Sequence, residues 1–165
     1  MSDLERSCGE CQVCCVLPAV GALDKPMHTA CPQLCARGCG IYAERPEECA
    51  AFRCAWHRGD AQLLSEDRPD RMGLMIETCV SELEGAPSIP FVRVWETRPE
   101  WFEDERSDRA LMLLETLSAS WPIKLHRYGQ PGAYGPLDED APANLRLQAA
   151  ELQRRDEARG TPRSD

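Results

Sequence analysis

The sequence predicts an α+β fold in which an irregular N-terminal module packs on a small antiparallel sheet with one or two helices. Nine of the ten cysteines lie between Cys8 and Cys54, in a stretch that is rich in glycine and proline and has little hydrophobic periodicity. Beyond it come two runs of strand composition, one amphipathic helical pattern and a third strand-like run. The 165 residues suffice for one domain with an ordinary core.

The predicted strands come in three runs. Residues 73–80 and 91–95 carry the apolar and β-branched side chains typical of strands, and residues 82–90 form a hairpin-like link between them. A third short strand is predicted over residues 123–127. A polar connection over residues 62–71 precedes the first strand, so the sheet begins only after the cysteine-rich stretch has ended.

One helix is predicted between the second and third strands. Ser107 is its expected N-cap, and Trp121-Pro122 ends it. Its apolar stripe consists of Ala110, Leu113, Leu114 and Leu117. These positions recur at the spacing of a single helical face, so the helix needs a sheet or another element to cover that face.

The chain is therefore divided into three predicted parts. They are a cysteine module at residues 1–60, an α+β scaffold at residues 61–137 and a polar C-terminal helix or tail at residues 138–165. In the last part, Pro142 opens a helical pattern that has only a thin apolar stripe. The module has too few apolar residues for a core of its own, so we expect another interaction to hold it together.

The charge balance argues against partners that are polyanions. The chain has 19 Lys and Arg against 28 Asp and Glu, and its net charge of −9 disfavours nucleic acid or an anionic membrane. The first residues lack the cationic and apolar segments of a signal peptide, and no run is long and apolar enough to span a membrane. We therefore expect a cytoplasmic protein without membrane association.

Ten cysteines in a short chain have two main uses. Outside the cell they form a disulfide framework, whereas in a reducing cytoplasm they stay thiols and the same spacing indicates a metal site. We favour metal ligands, with disulfides and free thiols as the alternatives. The metal would then hold the module together, so replacement of Cys11 is expected to unfold residues 1–60 and leave the rest partly intact.

The motif Cys8-x2-Cys11-x2-Cys14-Cys15 is the strongest local signal. Two intervening residues let a tight turn aim both sulfurs of a pair at one metal ion, and two overlapping pairs make coincidence improbable. The side chains of the adjacent Cys14 and Cys15 tend to point apart. We therefore expect them to serve two metal centres or a bridged pair.

More cysteines follow at Cys31, Cys35, Cys39, Cys49 and Cys54. Pro46 is expected to begin a helical turn that contains Cys49, where backbone N–H groups stabilise a thiolate. Three arginines, Arg45, Arg53 and Arg58, are cations close to this concentrated negative charge, and solvated surface positions are the alternative interpretation.

These residues carry a resemblance to a known family. The runs Cys8-x2-Cys11-x2-Cys14-Cys15, Cys39-Gly-Ile-Tyr-Ala-Glu-Arg-Pro46 and Cys49-x3-Arg53-Cys54-x-Trp56 resemble the YkgJ-type cysteine-cluster family, which is described as a zinc- or iron-chelating domain. The resemblance covers residues 8–56. It implies eight metal ligands, namely Cys8, Cys11, Cys14, Cys15, Cys31, Cys39, Cys49 and Cys54.

Two departures from the family pattern stand out. Cys35 is a ninth cysteine inside the module, either a spare thiol or a replacement ligand, and Ala50 stands where an arginine often follows the equivalent of Cys49. The family also includes flagellin lysine N-methylases. This short chain shows no convincing S-adenosylmethionine-binding turn, so methyl transfer by the chain alone is disfavoured.

The sequence leaves the metal open. Eight thiolates form two sets of four, and four thiolates give the same net charge, about −2, around Zn²⁺ and around a [4Fe–4S]²⁺ cluster. Mononuclear iron is a third alternative. The predicted function is a metal-binding protein with one or two zinc or iron centres. The alternative is a redox or enzyme-associated iron–sulfur protein, for example an accessory to a methylation or other modification reaction, and no protein partner is specified.

Other reactive side chains are assigned ordinary roles. His28 and His57 each lie three residues from a cysteine, a spacing at which imidazole could replace sulfur, but the many thiols favour packing or surface roles for them. His126 and Cys79 fall in predicted strands and are expected to be structural. A cysteine–histidine nucleophile is disfavoured because the metal competes for the same sulfur, and no catalytic residue is predicted.

Overall fold

The structure is a computed structural model, and it describes residues 6–60, 63–81, 89–99, 101 and 108–130. Its helices are α1 Glu47–Ala51, α2 Ala55–Arg58, α3 Pro69–Met72 and α4 Asp108–Ser118. Its strands are β1 Leu34–Cys35, β2 Gly38–Cys39, β3 Leu74–Ser81, β4 Ile89–Glu96 and β5 Ile123–His126. Three 3-10 turns, Val13–Cys15, Gly21–Leu23 and Tyr42–Glu44, lie in the cysteine-rich part.

The α+β class is confirmed, and the strands form two sheets. β1 and β2 make an antiparallel hairpin in which Cys35 lies opposite Gly38. β3, β4 and β5 form a three-stranded sheet in that order. β3 pairs antiparallel with β4 along its whole length, beginning with Leu74 opposite Glu96.

One detail of the predicted sheet is corrected. β5 runs parallel to β4, with Val92 opposite Ile123 and Trp95 opposite His126, so the larger sheet is mixed rather than wholly antiparallel. The reason lies in the connection. α4 stands between the two strands in sequence, and a crossover of this kind returns the chain to the end of the sheet at which β4 began.

The other predicted elements of the scaffold lie close to their expected positions. The three strand-like runs correspond to β3, β4 and β5, and the amphipathic pattern corresponds to α4. The polar connection over residues 62–71 differs from the prediction, because Pro69 begins α3 within it. Ser107, most of the link over residues 82–90 and the predicted C-terminal part at residues 138–165 lie outside the described residues.

The core lies between the larger sheet and α4 and extends into the cysteine-rich part. α4 buries Ala110, Leu113 and Leu114, as its apolar stripe predicts. Leu17 and Trp56 of the cysteine module belong to the same cluster of buried side chains as the strands of the sheet. Because burial of a large apolar side chain stabilises by roughly 2 kcal/mol, these two residues attach the module to the scaffold.

A buried carboxylate joins the segment before α3 to α4. Asp67 is 2% exposed, and it accepts hydrogen bonds from Arg109 Nη2 at 2.7 Å and from the Leu64 N–H at 2.8 Å. Burial alone would raise the pKa of Asp67. The hydrogen bonds from Arg109 and Leu64 and the positive charge of Arg109 outweigh burial, so the pKa of Asp67 is lowered from its ordinary value of 3.8.

A glycine allows a tryptophan to close the core beside α3. Gly73 has φ +88 and ends α3, and a Cβ added there would lie 1.9 Å from Trp101 Nε1. The indole of Trp101 is fully buried and donates from Nε1 to the Met72 carbonyl at 2.9 Å. In the described part of the chain, no helix has the length and apolar character needed to cross a membrane.

Candidate metal centre

The cysteine-rich part encloses a cavity of about 610 Å³, whose lining residues run from Arg6 to His57. Seven of the eight predicted ligands line it: Cys8, Cys11, Cys14, Cys15, Cys31, Cys39 and Cys49. The eighth, Cys54, lies outside this lining and is buried in the shared core. All ten cysteines are free thiols. The fold thus brings most of the predicted ligand set to one cavity.

The first cysteines reach the cavity through two tight turns. The Cys11 N–H donates to the Cys8 carbonyl at 2.8 Å, in a turn where Gly9 has φ +51. The Cys15 N–H donates to the Gln12 carbonyl at 2.9 Å and closes the next turn. The two-residue spacing therefore forms the tight turns that it predicts, and each turn adds a thiol to the lining of the cavity.

The downstream cysteines are tied to the first ones by the backbone. The Cys31 N–H donates to the Cys15 carbonyl at 2.9 Å, and the β1–β2 hairpin then returns the chain so that Cys39 lines the cavity. Cys35 lies on the same hairpin but is exposed and is not among the lining residues. This placement favours a spare thiol over a replacement ligand.

Cys49 enters the cavity from α1. Its N–H donates to the Pro46 carbonyl at 3.0 Å, so it lies in the first helical turn as predicted. The neighbouring Glu48 caps another segment, because its carboxylate accepts from the N–H groups of Gly21 at 3.3 Å and Ala22 at 2.7 Å. The expected stabilisation of a thiolate is not found here: partial burial, Glu48 and Cys31 raise the pKa of Cys49.

The adjacent thiols of Cys14 and Cys15 interact with each other. The Cys14 thiol donates a hydrogen bond to Cys15. This hydrogen bond raises the pKa of Cys14, and burial raises it further. The same hydrogen bond lowers the pKa of Cys15 to about 7, with help from the charge of Lys25. Of the two thiols, Cys15 is therefore the one that ionises near neutral pH.

The thiols affect one another's pKa values in two adjoining sets. Burial is the largest cause of the raised pKa values of Cys8, Cys11 and Cys54, and each of the three is raised further by another of them. Cys8 and Cys11 also raise the pKa of Cys14, and Cys15 raises the pKa of Cys8. We call Cys8, Cys11, Cys14 and Cys54 the first thiol group.

A second set of thiols surrounds Cys49. After burial and Glu48, the neighbours that raise its pKa are Cys31, Cys15 and Cys39. We call Cys15, Cys31, Cys39 and Cys49 the second thiol group. A hydrogen bond joins the thiols of Cys14 and Cys15, so the two side chains do not point apart as the sequence predicts, and the two groups meet at this pair.

The charged side chains around the cavity are almost all cationic. Its lining contains five cations, Arg6, Lys25, Arg37, Arg45 and Arg53, and one carboxylate, Glu48. Within the described residues, none of these four arginines forms an ion pair with a carboxylate. In a chain with a net charge of −9, such a cavity is a local site of positive potential.

Two of the three arginines singled out by the sequence take part. The guanidinium of Arg45 lies 4.0 Å from the ring centroid of Tyr42, and Arg53 Nη1 donates to the Ala50 carbonyl at 2.7 Å. The third, Arg58, does not line the cavity and pairs with an exposed aspartate, Asp60, at 3.1 Å.

Sequence reasoning missed Lys25. It is 3% exposed, and it lines the cavity together with the thiols. Its only distinctive sequence feature is that it is one of two lysines in the chain, the other being Lys124. Because burial of a lysine is unusual and depends on long-range packing, the local pattern held no signal for it.

The histidines lie in different places. His28 does not line the cavity; its Nδ1 accepts from the Gly129 N–H at 3.4 Å, and its ring lies edge-on to Trp95 at 5.8 Å between centroids. His126 stacks on the same tryptophan at 3.9 Å. Both are packing residues, as the sequence predicts. His57 does line the cavity, next to the thiols.

Within the described part of the chain, no three or more His, Cys, Asp or Glu side chains are arranged to hold a metal ion. The thiols are therefore gathered around the cavity without forming a coordination sphere. No family model, no curated protein sequence and no solved structure matches this chain. The resemblance to the YkgJ-type family, and the ligand set that it implies, stay predictions.

Proposed function

We propose that this protein binds zinc or iron through eight cysteine thiolates arranged as two centres. The first thiol group would hold one centre and the second thiol group the other. The observation that carries this proposal is the convergence of seven predicted ligands, from separate turns of the chain, on one cavity whose other charged side chains are mostly cations.

The charge of the lining supports this choice of ligand. A zinc ion or a [4Fe–4S]²⁺ cluster with four thiolates carries about −2, so two centres carry about −4. The five lining cations exceed the single carboxylate by four positive charges. Two thiolate-bound centres would balance this excess. The balance matters most at the buried Lys25, because Arg37 and Arg53 are exposed to solvent.

The donor chemistry also fits. Sulfur ligands select zinc, iron and iron–sulfur clusters, and a bound centre would supply a covalent-strength cross-link between turns that have little regular structure of their own. Cys54 would connect the first centre to the core, because it is buried there with Trp56. The proposal requires a compartment that keeps thiols reduced, such as the cytoplasm.

The same charge balance is compatible with two roles. With zinc, the centres would be structural or would serve metal handling, and the protein would have no redox activity. With an iron–sulfur cluster, the protein would have a reducible centre, and the nearby cations would favour its more negative, reduced state. A protein partner or a modification enzyme served by such a centre belongs to this second role.

The test is the metal content of protein purified anaerobically without added metal, measured by mass spectrometry together with acid-labile sulfide and the visible spectrum. We expect either two equivalents of zinc in a colourless protein or iron with matching sulfide and visible absorption. Cys11→Ser and Cys49→Ser should each remove one centre and leave the other. With two centres, the loss of Cys11 therefore loosens only the turns around the first centre and does not unfold the whole of residues 1–60.

Two cysteines serve as matched controls. Cys35 is exposed and Cys79 lies on β3, and both are outside the lining of the cavity. Cys35→Ser and Cys79→Ser should retain the full metal content. Wild-type protein without metal, or a loss in Cys35→Ser equal to that in Cys49→Ser, would contradict the proposal.

A further inference from the structure

Lys25 is the most deeply buried of the charged residues that line the cavity, with 3% exposed. Its position is fixed by the backbone. The Val20 N–H donates to the Lys25 carbonyl at 2.9 Å and the Lys25 N–H donates to the Val20 carbonyl at 3.0 Å, across a turn in which Asp24 has φ 47. The side chain is therefore held in place by a closed turn.

The ammonium group of Lys25 has hydrogen bonds but no opposite charge. Its Nζ donates to the carbonyls of Val16 at 2.9 Å and Pro26 at 3.2 Å, and also to the carbonyl of Pro18. All three acceptors are neutral, and Nζ forms no ion pair with a carboxylate of the described residues. A buried cation without a counter-charge is costly, so its position calls for a nearby anion.

The hydrogen bonds place Lys25 beside the second thiol group. Its Nζ donates to the carbonyl of Val16, the residue after Cys15, and the Cys15 carbonyl accepts from the Cys31 N–H at 2.9 Å. Burial lowers the pKa of Lys25, and the strongest opposing contributions come from Cys31, Cys15 and Cys49, followed by Cys14. The first thiol group has different cations beside it, because Arg53 and Arg45 act on Cys8. Arg53 is exposed and Arg45 half-buried, so solvent screens them more than it screens Lys25.

We propose that Lys25 is the built-in counter-charge of the second centre, so that the second centre depends on a buried cation and the first centre does not. Lys25 acts as a positioning residue, since it offers no lone pair to a metal while it remains protonated. The inference rests on the proposed function. A charge in a buried site interacts more strongly than one in water, and it would stabilise a negative centre most where solvent is excluded.

The experiment compares lysine variants in two backgrounds that retain one centre each. Cys11→Ser keeps the second centre and Cys49→Ser keeps the first, and zinc is titrated against a competing chelator in both. Lys25→Gln removes the charge and keeps amide donors for the turn, whereas Lys25→Met removes both. Lys124→Gln is the matched control, because Lys124 is the other lysine of the chain and is exposed on β5.

We expect Lys25→Gln and Lys25→Met to weaken zinc binding at the second centre by roughly 10- to 100-fold, the range typical of residues that support metal ligands. Zinc binding at the first centre should not change, and Lys124→Gln should match the wild type in both backgrounds. Far-UV circular dichroism of the zinc-loaded proteins reports whether the sheet remains folded.

Three results would overturn the proposal. One is an equal loss of zinc affinity at both centres. Another is a loss of zinc affinity in Lys25→Met with none in Lys25→Gln, and the third is unfolding of the sheet in both variants. Each of these results would show that Lys25 acts by holding the turn together and not by its charge. A failure of the proposed function looks different, because neither Cys11→Ser nor Cys49→Ser would then bind zinc with lysine intact.

Discussion

The scaffold and the cysteine module treat their cations differently. In the scaffold, Arg109 pairs with Asp67 at 2.7 Å, and Arg93 pairs with Glu77 at 3.1 Å. In the module, Arg6 donates to two backbone carbonyls, and Lys25 donates to three. These two scaffold arginines are therefore matched by carboxylates, whereas Arg6 and Lys25 of the module are held by neutral carbonyls.

The largest effect that we expect is the response of the module to metal removal. In wild-type protein treated with a strong chelator, amides held by turns of the module, such as those of Cys31, Leu34 and Gly40, should lose nearly all protection from hydrogen exchange. Amides in the β3–β4 ladder should keep theirs. Hydrogen exchange followed by mass spectrometry measures both regions in one sample.

Cys35→Ser treated in the same way is the control, since its metal content should equal that of the wild type. Unchanged protection of the module after chelation would show that the module stays folded without metal. The two regions would then not differ in their dependence on metal. Equal loss of protection in both regions would show that the scaffold depends on the metal as well.

The second effect compares a glycine of the scaffold with a glycine of the module. Gly73 and Gly59 both end short helices with positive φ, +88 and +73. A Cβ at Gly73 would clash with Trp101, whereas a Cβ at Gly59 would meet nothing within 4 Å. Gly73→Ala should cost about 3 kcal/mol or more, and Gly59→Ala only about 1 kcal/mol from its left-handed backbone.

Denaturant unfolding, with the scaffold tryptophans as the probe, measures both substitutions. If Gly59→Ala lost as much unfolding free energy as Gly73→Ala, contacts of the module would limit stability more than the packing of the core does. The expected result is a larger loss of unfolding free energy in Gly73→Ala, which would show that the tightly packed part of the molecule is the scaffold.

The third effect, smaller than that of Gly73→Ala, concerns the ion pair of Asp67. Asp67→Asn should destabilise the scaffold by roughly 2 kcal/mol at pH 7, because it weakens charged hydrogen bonds to Arg109. The pKa of Asp67 is lowered by folding, so its contribution is complete above pH 3.8 and is lost as the pH falls through the lower folded pKa.

Urea unfolding of wild type and Asp67→Asn at pH 7 and at pH 3 checks this sign. The difference in unfolding free energy between the two proteins should shrink at the lower pH. At pH 7 this difference should not depend on bound metal. A difference that stays constant with pH would show that Asp67 acts through packing and not through its charge.

The scaffold was predictable because its signals are local. The stripe of Ala110, Leu113 and Leu114 defines the buried face of α4 without reference to the rest of the chain. The direction of β5 was not predictable from composition, because parallel or antiparallel pairing depends on where α4 returns the chain.

The candidate site was predictable in its thiols and in Arg45 and Arg53, but not in its other cations. The x2 spacing determines local turns, so the positions of Cys8 and Cys11 follow from the sequence. Lys25 lies in the lining because its side chain bonds back to the carbonyls of Val16, Pro18 and Pro26. Neither Lys25 nor Arg37 is distinguished by its neighbours in sequence. The motifs that resemble the YkgJ-type family include Arg45 and Arg53 but not Lys25.

Leu17 and Trp56 are buried in one core, and this has a consequence for how ligands assemble. Residues 18–55 form a loop whose two ends are already fixed. Bringing the ends of a loop together costs conformational entropy, and here the core already holds them together. Cys31, Cys39 and Cys49 therefore remain at high effective concentration around Cys15, and a metal ion bound as proposed above would meet a tethered set of donors.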